Sequence, residues 1–142
     1  MALPDPVLSA EDLSDILRNA FGEGVPHVDA VTDEGAVIRL PVSTRNVRPG
    51  GTISGPTMMM LADTAAWVAL MSRAGAELLA VTTSLQIDFV RKPRVADLIA
   101  TARIVKFGSA LVVSTVDLRS GESPDIVATA SVTYSRPRQP AI

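Results

Sequence analysis

The stretch Pro56-Thr-Met-Met-Met-Leu-Ala-Asp-Thr-Ala-Ala-Trp-Val-Ala-Leu-Met71 decides the fold. It reads as a helix running on to about Arg73 and closed near Gly75, and it is apolar on every side. A helix of that kind belongs in the middle of a molecule. Asp63 is the single ionisable side chain between Arg48 and Arg73. A carboxylate among Met59, Met60, Ala66 and Trp67, its neighbours one turn away, is costly to bury alone. It must be hydrogen-bonded, paired, open to a cleft, or in use. A purely structural role is available too: facing a water-filled interface, or accepting a bond from a threonine on a strand.

The entry to this helix, Gly50-Gly-Thr-Ile-Ser-Gly-Pro56, places proline in the first turn, where its missing N–H is not needed. Gly55 is then expected near the N-cap. Free N–H groups at the positive end of a helix suit a carbonyl oxygen that gains negative charge. An ordinary glycine-rich helix start would look the same.

Beyond the helix, four strands are expected, at about 79–91, 98–107, 110–118 and 126–135, separated by Lys92-Pro93, Gly108-Ser109 and Ser120-Gly-Glu-Ser-Pro124. Leu85, Ile87 and Phe89 share one face of the first; Ser84, Gln86 and Asp88 share the other. Upstream, Val25–Thr32 and Ala36–Val42 flank the turn Asp33-Glu-Gly35 as a hairpin, and residues 43–52 read as a loop. A first helix spans about 9–21, with Ser9 as N-cap and an acid three residues on. Leu13, Ile16, Leu17 and Ala20 form its apolar stripe. Short turns between strands demand antiparallel pairing. The expected architecture is α+β: one antiparallel sheet in a meander, one dominant helix, and a frayed tail from Arg136 to residue 142, all in a single domain over 1–142.

The chain has 142 residues, 47% of them apolar and 20% charged, which is ample for a core. It contains no cysteine, which excludes a disulfide framework, a thiolate nucleophile and a cysteine-ligated metal. His27 is the only histidine, so mechanisms needing two in one chain are excluded; it lies in the first strand and reads as structural or surface. Neither a signal peptide nor an apolar run long enough for a membrane span is present, so a cytoplasmic protein is expected. The net charge of −2 gives no basic field for nucleic acid. Eight acids and one base fall in residues 1–34, and seven acids and twelve bases in the remainder. An anionic ligand would therefore meet the second part, where Arg91, Lys92 and Arg94 form the densest basic cluster. A solvated loop is the plainer reading of that cluster.

Gly51-Thr-Ile-Ser-Gly-Pro-Thr-Met-Met-Met-Leu-Ala-Asp63 resembles the hallmark of hotdog-fold acyl-CoA thioesterases of the phenylacetic-acid-degradation type, Gly-x-x-His-Gly-Gly followed by Leu-Ala-Asp. Val81-Thr-Thr-Ser-Leu-Gln-Ile-Asp-Phe-Val-Arg-Lys-Pro93 and Ala128-Thr-Ala-Ser-Val-Thr-Tyr134 are similar to later strands of that family. The resemblance spans roughly 10–135. It implies a sheet wrapped around the long buried helix and a homodimer, with a dimer of dimers left open. It implies Asp63 as general base or nucleophile, the Gly55 N–H as carbonyl polariser, and Thr82, or else Thr83, as the hydroxyl that orients water or carboxylate.

Three positions depart from the pattern. Ser54 stands where the family has histidine; it can donate a hydrogen bond but does not titrate near neutrality. Pro56 replaces the second glycine. The family's asparagine falls on Arg48 without a gap, whereas Asn46 would need a longer loop. Arg48, Ser54, Met59, Thr83, Arg91 and Lys92 are the expected substrate contacts, and Met58, Met59 and Met60 are expected in the core, one or two of them against an acyl group. The expected substrate is an acyl-CoA or acyl-carrier thioester, with no metal or other cofactor. Two alternatives stay open: a non-catalytic acyl-CoA binder, and a hydratase or dehydratase, for which no histidine lies near the helix.

Overall fold

The structure is a computed structural model that describes residues 2–138. Its elements are α1 (Ala10–Phe21), β1 (His27–Val31), β2 (Gly35–Leu40), β3 (Val47–Arg48), β4 (Thr52–Ile53), α2 (Gly55–Ala74), β5 (Val81–Phe89), β6 (Leu98–Phe107), β7 (Leu111–Ser120) and β8 (Ile126–Ser135). The expected helices and strands are all present. The six long strands form one antiparallel sheet in the order β1-β2-β6-β7-β8-β5. The sheet curls around α2, which packs on β6, β2, β7 and β8, in the hotdog arrangement.

The strand order corrects the expected meander. β5 does not neighbour β6; it forms the far edge beside β8, while β6 pairs with β2. Alternation fixes which face a strand buries, not which strand lies beside it. The connection of residues 90–97 can reach about 26 Å when extended, against about 14 Å for three inter-strand steps, so the crossing is unstrained. Val90 and Arg91 start it by donating their N–H groups to Val127 O. Bulges at Asp29, Thr83, Val105 and Val127 interrupt the ladders and add to the local twist.

α1 begins as expected: Ser9 Oγ accepts from Asp12 N and Asp12 answers to Ser9 N, both at 3.0 Å. Leu13 and Leu17 are fully buried against the rest of the core. The second half of α2 is the centre of that core, with Ala65, Val68, Ala69, Leu70 and Met71 wholly enclosed. Arg73, buried near the helix end, donates to Gly35 O, Thr32 O and Pro4 O, and so ties three segments together. Burial lowers its pKa from the usual arginine value, and the guanidinium is held by those carbonyls.

Two expectations about burial are corrected. α2 is not enclosed all round: Met59 and Met60 are 41% and 40% exposed, because the strip through residues 56, 59, 60 and 63 faces away from the sheet. Arg136 is not frayed. It pairs with Glu77 and lies over the Phe107 ring, 5.0 Å from its centroid. The remainder of the expected tail, 139–142, lies outside the described residues.

Candidate active site

The residues before α2 form a small hairpin. Val47 and Arg48 pair with Ile53 and Thr52, and Gly50 and Gly51 turn the chain with φ of 98° and 72°, a region that favours glycine. This hairpin brings Asn46, not Arg48, to the helix start. Asn46 O accepts from Ser54 N at 3.0 Å, and its side-chain amide donates to Thr57 Oγ1 at 3.4 Å. Arg48, on which the family's asparagine falls without a gap, makes no hydrogen bond to the helix start among the described residues; the chain between Asn46 and Ser54 is taken up by the small hairpin itself.

Ser54 is the N-cap, with Gly55 next to it as the first helical residue, near the N-cap as expected. Its Oγ accepts from Thr57 N at 3.3 Å and shares a 2.8 Å hydrogen bond with Thr57 Oγ1. The first four N–H groups of a helix lack partners within it. Here Ser54 N is taken by Asn46 O, Thr57 N by Ser54 Oγ, and Pro56 has no N–H. Only the Gly55 N–H is left without an acceptor among the described residues, at the positive end of a 20-residue helix. The helix dipole is thus focused on one donor. Gly55 also suits its place because the residue before a proline resists helical geometry partly through its Cβ, which glycine lacks.

That donor opens into a cleft of about 740 Å³, lined by Arg48, Gly55, Met58, Phe89, Arg91 and Lys92 among others. The sequence-predicted Gly55, Arg48, Arg91 and Lys92 therefore come together. No ion pair engages the three cations among the described residues, and no acid lines the cleft. Met58, 4% exposed, lines it, whereas the expected Met59 does not.

Asp63 lies elsewhere on α2. It is eight positions beyond Gly55, about 12 Å along the axis. It is partly exposed on the uncovered strip, so its desolvation cost is smaller than the sequence suggested. Thr82 Oγ1 donates to its Oδ1 at 2.6 Å. This is the strand threonine anticipated as one possible partner. The Tyr134 hydroxyl also donates to Oδ1, at 3.0 Å, and to Asp63 main-chain O at the same distance.

A bulge explains why Thr82 and not Thr83 does this. Leu85 faces Val132 and Ile87 faces Ala130 on the helix side, so unbroken alternation would place Thr83 opposite Tyr134. The extra residue Thr83 shifts the register and sets Thr82 against Tyr134. Directly opposed residues share a face, so both hydroxyls point at α2. Thr83, the fallback, donates instead to Thr133 O at 3.3 Å. In the sequence Tyr134 shows only as part of the last strand, with nothing to mark it as a site residue. It is the chain's one tyrosine, and burial pushes its phenol well above the usual tyrosine range, with the Asp63 charge adding to the effect.

Next to these hydroxyls, Phe21, Trp67, Leu78, Val81 and Tyr134 border an apolar hollow of about 270 Å³. Trp67, one turn past Asp63, is fixed by its Nε1 donating to Glu77 O at 3.1 Å, and Phe21 meets it edge-on at 5.9 Å between centroids. His27 is on the surface of β1, where its Nδ1 lies 2.9 Å from Asp29 Oδ1, as the sequence suggested. No helix among the described residues is long and apolar enough to cross a membrane.

Residues 50–137, more than half of the chain, match the family model of the thioesterase superfamily. A candidate thioesterase from Silicibacter sp. TM1040 is 36% identical in sequence and has a TM-score of 0.85, with 94% of this chain and 95% of that one covered. Zebrafish thioesterase superfamily member 2 is 22% identical at a TM-score of 0.79, covering 92% of this chain and 99% of that one. A Haemophilus influenzae thioesterase is 20% identical at 0.81, covering 94% and 93%. These last two likenesses show the fold alone. A comparison with curated proteins finds no match. With the family model spanning the central helix and the last four strands, the chain belongs to the thioesterase superfamily.

Proposed function

We propose that this protein is an acyl-CoA thioesterase of the phenylacetic-acid-degradation type and that its active site forms between two copies of the chain. The observation that carries this reading is the spacing on α2. One free N–H, at Gly55, and one hydrogen-bonded carboxylate, at Asp63, are about 12 Å apart. A single thioester carbonyl cannot meet both groups of one chain. Two copies with α2 antiparallel bring Gly55 of one opposite Asp63 of the partner subunit, and a two-fold axis gives two such sites.

In this arrangement the thioester oxygen accepts from the Gly55 N–H, where the helix end stabilises the charge that develops on it. Asp63 of the partner subunit takes a proton from the attacking water, or attacks the carbonyl itself. The carbon–sulfur bond then breaks, and coenzyme A leaves as its thiol with the proton that Asp63 took from water; where Asp63 itself attacks, water then hydrolyses the acyl–Asp63 anhydride to the free acid and supplies that proton. Arg48, Arg91 and Lys92 at the cleft mouth meet the phosphates of the nucleotide, as cations without acidic partners do well. The hollow beside Asp63 gives the acyl group an apolar wall. Ser54 caps the helix and is not an acyl carrier, because no base stands beside its hydroxyl. The exposed strip of Met59 and Met60 and the edge strand β5, with Phe89 and Val90 exposed, supply apolar surface for the pairing. A dimer, or a dimer of dimers, working in the cytoplasm without metal or other cofactor completes the proposal.

The test is release of free thiol from a panel of aromatic and aliphatic acyl-CoA esters, run beside direct binding of the same esters. Turnover of any of them supports the reading. Tight binding with no turnover makes the protein an acyl-CoA binder instead.

A further inference from the structure

Asp63 is held in an unequal way. Both of its hydrogen-bond donors, Thr82 Oγ1 and the Tyr134 hydroxyl, reach the same oxygen, Oδ1. Oδ2 has no donor among the described residues. It is not sealed off either, since among the described residues Ser114 Oγ is the one buried side-chain polar atom left without a partner. The two donors come from neighbouring strands and are directly opposed only because of the bulge at Thr83. Tyr134 is 6% exposed and its ring is packed in the core, so the hydroxyl has little freedom to turn elsewhere. Its single proton is shared between Oδ1 and the Asp63 carbonyl, which fixes the side chain relative to its own backbone.

We infer that Tyr134 is a positioning residue: with Thr82 it fastens Asp63 by Oδ1 and leaves Oδ2 as the oxygen that reacts. The inference rests on the thioesterase reading for what Oδ2 does, and on geometry alone for the fastening. A carboxylate held by one oxygen cannot rotate the other out of line. Burial keeps the Tyr134 phenol protonated, so it remains a donor across the working range of pH. Around Asp63 stand Thr82 from β5, Tyr134 from β8, and Met59, Met60, Ala66 and Trp67 from α2. Tyr134 is the one titratable group among them.

The experiment compares the full-length protein with Tyr134→Phe and Thr82→Val in two ways. Tyr134→Phe removes one oxygen and leaves the ring to fill its place; circular dichroism checks that the fold is retained. With the best acyl-CoA ester, kcat is expected to fall about 10- to 100-fold in Tyr134→Phe, the loss of one hydrogen bond to a charged group, while KM stays within about twofold. At a fixed neutral pH the Asp63 carboxyl carbon NMR signal, assigned by its loss in Asp63→Asn, is expected to move in each variant as Oδ1 loses a donor. An unchanged kcat in folded Tyr134→Phe, or a loss carried by KM alone, overturns the positioning role. An Asp63 signal that stays in place in both variants overturns the fastening. If the parent hydrolyses no ester on the panel, the thioesterase reading fails and the assignment of Oδ2 as the reacting oxygen fails with it. The carboxyl signal still decides whether the clamp is real.

Discussion

The two halves of α2 show one helix built to two standards. From Ala65 to Ala74 its apolar side chains are enclosed and its polar ones are satisfied: Ser72 Oγ donates to Ala69 O at 2.6 Å, and Arg73 spreads its donors over three carbonyls. From Gly55 to Thr64 the same helix leaves Gly55 N–H and Asp63 Oδ2 without partners and two methionines about 40% exposed. A fold seeking stability alone would close those gaps, since open polar groups and exposed methionines add little to it. The difference teaches where the helix serves as scaffold and where it serves as reagent. Substitutions at Gly55 and Asp63 should change rate and leave stability nearly alone. Those in the enclosed second half should do the reverse.

The widest separation is expected from Asp63→Asn, which keeps the shape of the side chain and removes its charge. Thioester hydrolysis should fall about 10²- to 10⁴-fold, as for loss of a general base, with the urea midpoint unchanged. Full activity in the folded variant would remove Asp63 from the mechanism. The mirror experiment is Arg73→Met in the buried half. It leaves the carbonyls of Pro4, Thr32 and Gly35 without their shared donor, and urea unfolding should show a loss of about 3 kcal/mol. KM for acyl-CoA should not move at temperatures where the variant is folded. A smaller effect is expected at the junction of cleft and helix. Ser54→Ala removes the N-cap acceptor and should cost about 1 kcal/mol in urea unfolding, with a rate loss well short of that in Asp63→Asn. Trapping of an acyl group on Ser54 by mass spectrometry would contradict its assignment as a cap.

The subtlest effect is in pH dependence. Burial raises the Tyr134 phenol above its unfolded value of about 10. A group whose folded pKa is raised contributes stability that is complete below the unfolded pKa and is lost as pH rises beyond it. Tyrosinate absorbance reads Tyr134 alone, because the chain has one tyrosine. It should appear together with loss of helical circular dichroism, and Tyr134→Phe should extend the folded range toward alkaline pH. Ionisation of Tyr134 near pH 10 with the fold intact would show that the phenol is not buried as described.

Much of this contrast was legible in the sequence, and the parts that were not have specific causes. The buried half of α2 follows from its composition, and Asp63 stood out because a carboxylate in that company demands an account. Ser54-Gly-Pro56 marked the helix start to within one residue. The place of β5 was not legible, because alternation records a strand's faces and says nothing of a neighbour 40 residues away. The choice of Thr82 over Thr83 depended on a bulge, which a pair of adjacent threonines cannot reveal. That Asn46 rather than Arg48 hydrogen-bonds the helix start depended on a two-glycine hairpin whose length only the folded loop fixes. Met59 and Met60 were read as core because the sequence shows no gap in the helix's apolar surface. The gap comes from how far the sheet reaches around it.

The central claim is that the free N–H and the free carboxylate oxygen of α2 act on one thioester only when they come from different chains. Complementation tests it most directly. Gly55→Leu fills the cleft at the donor, where even a Cβ would already touch the Phe89 ring at 3.5 Å, and Asp63→Asn removes the base. Each variant alone should be inactive. Unfolded together and refolded, they should form mixed dimers in which one of two sites has an intact Gly55 from one chain and an intact Asp63 from the other. Random pairing then predicts activity approaching about a quarter of the parent's. Mixed dimers that form, by mass, and yet show no activity would contradict the shared site.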